Sequence, residues 1–324
     1  RSLQKNTTAD NNVAVGFAAL SENTTGIRNT AVGTSALQTI TTANDSTAVG
    51  FEALKLATGT GNTAVGRDSG KSITSGSQNT VIGTAALDAL STGARNTAVG
   101  GAALSTATTS SDNTALGYNT LLLTTTGTRN AAVGTYALDA NTTANDNTAI
   151  GFESLTSNTT GNQNTGAGSK TLGNNETGSN NAALGFFALN ANTTGSNNTA
   201  VGKSALDANT TASNNTAVGQ AALGANTTGT NNVAIGSLAL DANTTNSNSV
   251  AIGYRSLTNQ TVADQNTAVG ADSMFTNTTG EYNVATGFMA LYSNTTADNN
   301  TAVGYQALLN NTTGIANIAV GANA

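Results

Sequence analysis

The sequence predicts an all-β chain, a parallel β-solenoid (β-roll or β-helix) with one coil per 17-residue repeat. Three observations carry that reading. A glycine recurs at a fixed interval from Gly16 to Gly321. A short alternating apolar phrase precedes each of these glycines. No Asn-Gly pair, the strongest signal of a two-residue hairpin, occurs anywhere. A short period running from end to end marks a stacked, quasi-one-dimensional architecture.

The repeat is clearest at Asn198, where NTAVGKSALDANTTASN is followed by NTAVGQAALGANTTGTN from Asn215. Of the 18 intervals between marker glycines, 17 are 17 residues long and one, Gly50 to Gly66, is 16. Length alone would suggest two domains. The unbroken period instead predicts one continuous solenoid over residues 1–324, about 19 repeats, with no linker and no obvious caps. Charged residues make up 9% of the chain and proline is absent, which separates it from disordered sequences rich in both.

Each element follows from its position relative to the glycine, counted as position 0. The phrase T-A-V-G alternates branched and small residues with period two, and four or five residues are too few for a helix. It is therefore a short strand. Val, Ile or Leu stands before the glycine except at Ala167 and Thr286. Position 4 is Leu in 16 of 18 complete repeats, the exceptions being Gly70 and Met274. The expected core accordingly joins Leu20, Leu37, Leu54, Leu87, Leu104, Leu138, Leu189, Leu206, Leu223 and Leu240 with Val32, Val49, Val201 and Val218. Asn and Gly are expected at the corners, where left-handed backbone is cheap.

Asn precedes the strand phrase in 17 of 19 copies, with Ser46 and Ser249 in the other two. In a parallel stack identical side chains lie about 4.8 Å apart, so their amides can bond up the stack. Asn29, Asn79, Asn96, Asn113, Asn198, Asn215 and Asn232 belong to this expected ladder, which runs from Asn12 to Asn317. The alternative is that Asn merely favours a turn there. A second Asn row precedes Thr-Thr from Asn141 onward, where earlier repeats carry Ile40, Ile73 and Leu90. That predicts a drier corner in the N-terminal part.

A weaker 34-residue period overlies the first. The residue after the glycine is aromatic at Phe17, Phe51, Tyr118, Phe152, Phe186, Tyr254 and Phe288, in every second repeat, with Thr84 and Gln220 filling the gaps. Either the repeats duplicated in pairs, or one full turn takes 34 residues. A lone 17-residue coil is the least favoured closure, because one Leu, one Val and a few Ala make a thin core against roughly 1–2 kcal/mol of backbone entropy per residue. Sharing among three chains would thicken it.

The phrase NTAVG, then small-residue-Leu, then NTTG resembles repeats of phage tail fibres and large bacterial surface proteins, often found upstream of a self-cleaving intramolecular chaperone domain. It is also similar to the head repeats of trimeric autotransporter adhesins, whose NSVAIG phrase is matched best by Ser249-Val250-Ala251-Ile252-Gly253. The resemblance covers essentially the whole chain. It implies a left-handed parallel β-roll, three chains about one axis and a role in adhesion. Those adhesin coils are shorter than 17 residues, so the extra residues are expected to widen the Asn-Thr-Thr loop. Neither an anchor nor a chaperone domain is recognisable in the 324 residues.

The chain has no His and no Cys, so a Ser or Thr nucleophile lacks its usual base and thiolate metal sites are excluded. Asp10, Asp45, Asp146, Asp264 and Asp298 recur near the Thr-Thr corner at most once per coil, and are expected to cap turns rather than bind calcium. Gly66-Arg67-Asp68-Ser69-Gly70-Lys71-Ser72 looks like a phosphate loop, but it is one degenerate repeat with no helix to follow. No catalytic residue, metal or cofactor is expected. The net charge of −6 without a basic stripe argues against nucleic acid, and no apolar run approaches a membrane span.

The expected function is a non-enzymatic structural fibre with an adhesive surface, a tail-fibre or cell-surface adhesin shaft, located extracellularly, at a cell surface or on a virion. Its expected partners are itself, as a homotrimer or end-to-end polymer, and glycans or a cell surface. Eighteen coils at about 4.8 Å each would span about 85 Å. The two ends fall nearly in register, which raises the alternative of a protomer stacking into an extracellular filament. A remote third reading is ice binding by a Thr rank including Thr24, Thr142, Thr159 and Thr193.

Overall fold

The computed structural model describes residues 1–324 and contains 19 three-residue strands, with no helix. The chain divides into two compact units, residues 1–163 and 164–324. The first holds β1 (Val13–Val15), β2 (Thr30–Val32), β3 (Thr47–Val49), β4 (Thr63–Val65), β5 (Thr80–Ile82) and so on to β9 (Thr148–Ile150). The second runs from β10 (Thr165–Ala167) through β12 (Thr199–Val201) and β13 (Thr216–Val218) to β19 (Ile318–Val320). Within each unit every strand pairs in parallel with the next, with like positions opposite: Thr30 with Thr47, Ala31 with Ala48, Val32 with Val49. Each unit is therefore a parallel β-solenoid.

One repeat closes one turn. The partner of each strand residue lies 17 residues on, or 16 between β3 and β4, where Thr47 faces Thr63. A 34-residue turn is thus ruled out, and the disfavoured 17-residue coil is the one adopted. The thin-core argument counted apolar burial and left out the backbone bonds outside the strands. In those segments Leu20 N–H donates to Ala36 O (3.1 Å), Glu22 to Gln38 (3.1 Å) and Thr24 to Thr41 (2.9 Å). Other amides point the opposite way, as Gly33 N–H to Val15 O (2.7 Å) and Ser35 to Phe17 (2.8 Å). The corners are laddered as well as the strands, so most ordered residues bring a hydrogen bond with them.

The core departs from expectation on one side of the strand. Leu20, Leu37, Leu54, Leu87, Leu104, Leu138, Leu189, Leu206, Leu223 and Leu240 are fully buried. Val32, Val49, Val201 and Val218 are not in the core: Val49 is 37% exposed and the other three are half-buried. The middle residue of the strand points inward instead, so that Ala31, Ala48, Ala200 and Ala217 are fully buried. Alternation along a strand sends Thr and Val to the same, outer face. A 17-residue coil already encloses a Leu, and the only space left beneath the strand admits Ala.

One coil tests this volume rule. Gly70 stands where the other coils carry Leu or, at Met274, Met, and the same coil alone has Val in the inward strand position, Val81, with Ile73 also fully buried. A Cβ built on Gly70 would meet Ile73 Cδ1 at 3.0 Å and Leu54 Cδ2 at 3.1 Å, so the missing Leu has been refilled by its neighbours. The phosphate-loop look-alike is this repacked coil. The strand before it ends at Val65 and is followed by turn, not helix.

Candidate functional surface

The marker glycines form a column of close approach. Gly33 has φ +132°, and a Cβ there would lie 2.4 Å from Gly50 O; at Gly219 (φ +138°) it would lie 2.5 Å from Gly236 C and O. Only glycine permits both the backbone conformation and the contact. After it the chain turns through two left-handed residues, positions 2 and 4. The second is the core Leu, with φ of 50° at Leu20 and 48° at Leu37. Position 12 is left-handed too, as at Arg28 (58°) and Asp45 (62°).

Two ladders of buried Asn hold the coils together. In the row at position 13, Asn79, Asn96, Asn113 and Asn130 each accept at Oδ1 the backbone N–H of the Asn one coil on, at 2.9–3.1 Å. The following Asn also donates from Nδ2 to that same oxygen, as Asn96 to Asn79 (3.1 Å), and to a carbonyl in the next coil, Ser110 O (2.9 Å). In the second unit Asn198 and Asn215 do likewise, accepting from Asn215 N–H (3.0 Å) and Asn232 N–H (2.9 Å). Asn29 accepts from Ser46 N–H (3.0 Å). The backbone at these Asn residues is not left-handed, so a turn preference does not explain the row. The row at position 7 is a second ladder: Nδ2 of Asn192, Asn209, Asn226 and Asn243 donates to Oδ1 of the Asn one coil back, at 2.7–3.0 Å. Ile40, Ile73 and Leu90 hold that place in three coils of the first unit, fully buried, and the corner is dry there, while Asn23, Asn141 and Asn158 keep a buried amide in the same unit.

At Ser249 and Gln260 both rows are interrupted together. Gln260 reaches across from the second row, with Nε2 3.1 Å from Ser249 Oγ and Oε1 accepting Asn266 Nδ2 at 2.9 Å. The extra methylene of Gln spans the gap that the shorter Ser leaves.

Asp45, Asp146, Asp264 and Asp298 bond to the preceding coil rather than capping turns within their own. Asp264 and Asp298 accept backbone N–H groups of the preceding coil, Ser247 (2.7 Å) and Glu281 (2.8 Å), a third side-chain ladder that Asn44, Ser111 and Ser213 continue elsewhere. Asp45 and Asp146 pair bidentately with Arg28 and Arg129 one coil back (2.6–3.0 Å). The guanidinium hydrogen bond holds each of these carboxyls below its ordinary range. Asp88, Asp139, Asp207 and Asp241, at position 5, are half-buried, and desolvation pushes their carboxyls up. No three acidic side chains converge, and no helix is long and apolar enough to cross a membrane.

At the Thr-Thr corner the first hydroxyl is committed. Thr24 Oγ1 donates to Thr41 O (3.1 Å), Thr142 to Thr159 O (3.1 Å) and Thr193 to Thr210 O (3.0 Å). The second Thr, such as Thr25, Thr143, Thr160 or Thr194, is the exposed one.

What remains for a partner is the outer face of the strands. In the first unit Thr30, Thr47, Thr63, Thr80, Thr97 and Thr114 form one column, beside the column of Val15, Val32, Val49, Val65, Ile82, Val99 and Leu116. The aromatic residues follow the glycine on that side and are all exposed, from 42% at Phe288 to 71% at Phe17. Position 1 carries no ring at Thr34, Ala271 or the three successive coils of Arg67, Thr84 and Gly101, and at Thr135 the next residue, Tyr136, packs edge-on against Tyr118 at 5.9 Å. Sequence reasoning missed this surface because it assigned the Val column to the interior.

No protein-family model matches the chain, and no curated protein matches it significantly. The fold and its Asn ladders define the class of protein, a parallel β-solenoid of 17-residue coils.

Proposed function

We propose that the protein is a non-enzymatic structural fibre, working outside the cell or on a virion, whose repetitive surface adheres to glycans or to a cell. The observation that supports this best is the continuity of the columns within each unit. Each coil repeats the Leu, Gly and Asn contacts of the one before, so added coils extend the stack without changing its section. Most of the buried Asn amides bond up the ladders, and the outer face of the strands offers a column of Thr beside a column of Val, Ile or Leu through most coils. Such a surface binds weakly at each point and gains strength from repetition.

The test has two arms. Negative-stain images of the purified chain are expected to show thin rods; compact particles would remove the fibre. Beads carrying the chain at increasing density are expected to attach to cells or immobilised glycans with a steep dependence on density. Flat, background attachment at every density would remove the adhesive role.

A further inference from the structure

We infer that the outer face of the strands in the first unit binds ice, a function separate from adhesion to glycans or cells. The two outward columns there are segregated. From β2 to β6 (Thr97–Val99) and β7 (Thr114–Leu116) the first outward residue is always Thr, and the second is always Val, Ile or Leu. None of these strands carries a charge or an amide side chain. Like residues lie opposite one another across every pair, including β3 and β4, where the repeat is one residue short.

The hydroxyls of this column are unspent. At the corners Thr24, Thr74, Thr108 and Thr142 each donate Oγ1 to a carbonyl of the next coil. Thr30, Thr47, Thr63, Thr80, Thr97 and Thr114 make no side-chain hydrogen bond within the chain. The Thr rank expected to meet ice at the corner is therefore committed. The free rank lies on the strands, with an apolar rank beside it.

The spacing selects the ligand. Neighbouring parallel strands lie about 4.8 Å apart and two residues along a strand span about 6.6 Å, so hydroxyls and methyls form a regular net. Tetrahedral water with O···O of about 2.75 Å has second neighbours about 4.5 Å apart and a two-layer repeat of about 7.3 Å. The two nets agree to within about a tenth in both directions. Methyl groups restrict the water over them, and the hydroxyls hold it in register. The six strands hold no amide, carboxylate or ring with which to fix a sugar.

The borders leave the net open. At position 1 its neighbours are Thr34, Phe51, Arg67, Thr84, Gly101 and Tyr118, so rings stand beside only two of the six strands. On the other side the charges at position 12 are paired with one another, Arg28 with Asp45 and Arg95 with Asp112. In the second unit the Thr column is broken at Ala182, Val233, Val250 and Val284, so the first unit carries the inference.

Ice binding is read on the purified full chain in buffer, with no host ligand, so failure of the glycan or cell attachment leaves this result intact. Nanolitre osmometry is expected to show freezing held below melting, by a gap that widens with protein concentration, and faceted rather than round crystals. Thr63→Lys with Thr97→Lys puts two charges on the net and is expected to reduce the gap to the buffer value. Thr80→Tyr suits a strand but stands proud of the face, and is expected to do the same without a charge. Thr25→Lys with Thr143→Lys, at exposed corner positions, is expected to leave the gap unchanged. Circular dichroism checks that each variant folds. No gap and no faceting at any soluble concentration would overturn ice binding. So would a gap that survives both face variants, or one that falls equally with the corner variant. Exclusion of the parent chain from a slowly growing ice front, with retention on an insoluble β-linked glucan, would overturn it in favour of a sugar.

Discussion

Leu20, Leu37 and Leu54 sit with φ near +50°, a conformation that costs an L-residue roughly 1–2 kcal/mol. Positions 2 and 12 bear the same cost, and at position 4 the fold accepts it because the turn drives the Leu side chain into the core, where it is fully buried. The marker glycines meet a harder constraint, set by the carbonyl stacked against them. Gly219→Ala is expected to destabilise by at least about 1–3 kcal/mol from backbone strain alone, with the clash against Gly236 added; urea unfolding followed by circular dichroism measures it. The half-buried Asp residues give a pH dependence. Asp207 and Asp241 have carboxyls raised above the unfolded value by desolvation, so the folded state holds their protons more tightly. Stability falls as pH rises from about 3.9 through the folded value, and the loss is complete above it. Asp207→Asn with Asp241→Asn is expected to raise the melting temperature at pH 7, with the gain shrinking toward pH 3. A gain constant across that range would mean that charge burial is not the cause.

The coil is an element in which losses at one position are made good at another. Ser249 and Gln260 are the clearest pair. Reverting either alone, Ser249→Asn or Gln260→Asn, is expected to destabilise, and reverting both to restore stability, with a coupling energy of about 0.5–3 kcal/mol from a double-mutant cycle. The 16-residue interval identifies the dispensable position. Thr58 bonds to Thr74 O and Gly59 stacks on Gly76, so the residue missing from that coil is the second, exposed Thr of the corner. Deleting Thr211, its equivalent, is expected to leave the fold and its melting temperature nearly unchanged. Deleting the inward Ala217 shifts the strand by one residue and turns its faces over, and is expected to abolish cooperative unfolding.

For the molecule as a whole, much was legible because a repeat prints the same constraint many times. Period, strand position, the Leu column and the Asn ladder all follow from columns of like residues. The orientation of Val was not legible. T-A-V alternates equally well either way up, and the choice depends on how much volume a closed coil contains. The coil length was obscured for a related reason: hydrogen bonds at the corners leave no mark in a hydrophobic pattern. Which Thr of the corner stays free was not legible either, because both hydroxyls look alike until the stacked carbonyl selects one. Removing the Val column from the core leaves an apolar column on the outer face of the strands, with Val15, Val49, Ile82 and Leu116 exposed.

A corner that loses a residue without disturbing the coils on either side is also a place to gain one. Foreign peptides spliced between Thr210 and Ala212 would leave the chain as loops on one edge, with the inward column undisturbed beneath them. Copied into successive coils, such insertions would stand at molecular-ruler intervals of about 4.8 Å, a scaffold for arraying epitopes or enzymes at chosen separations.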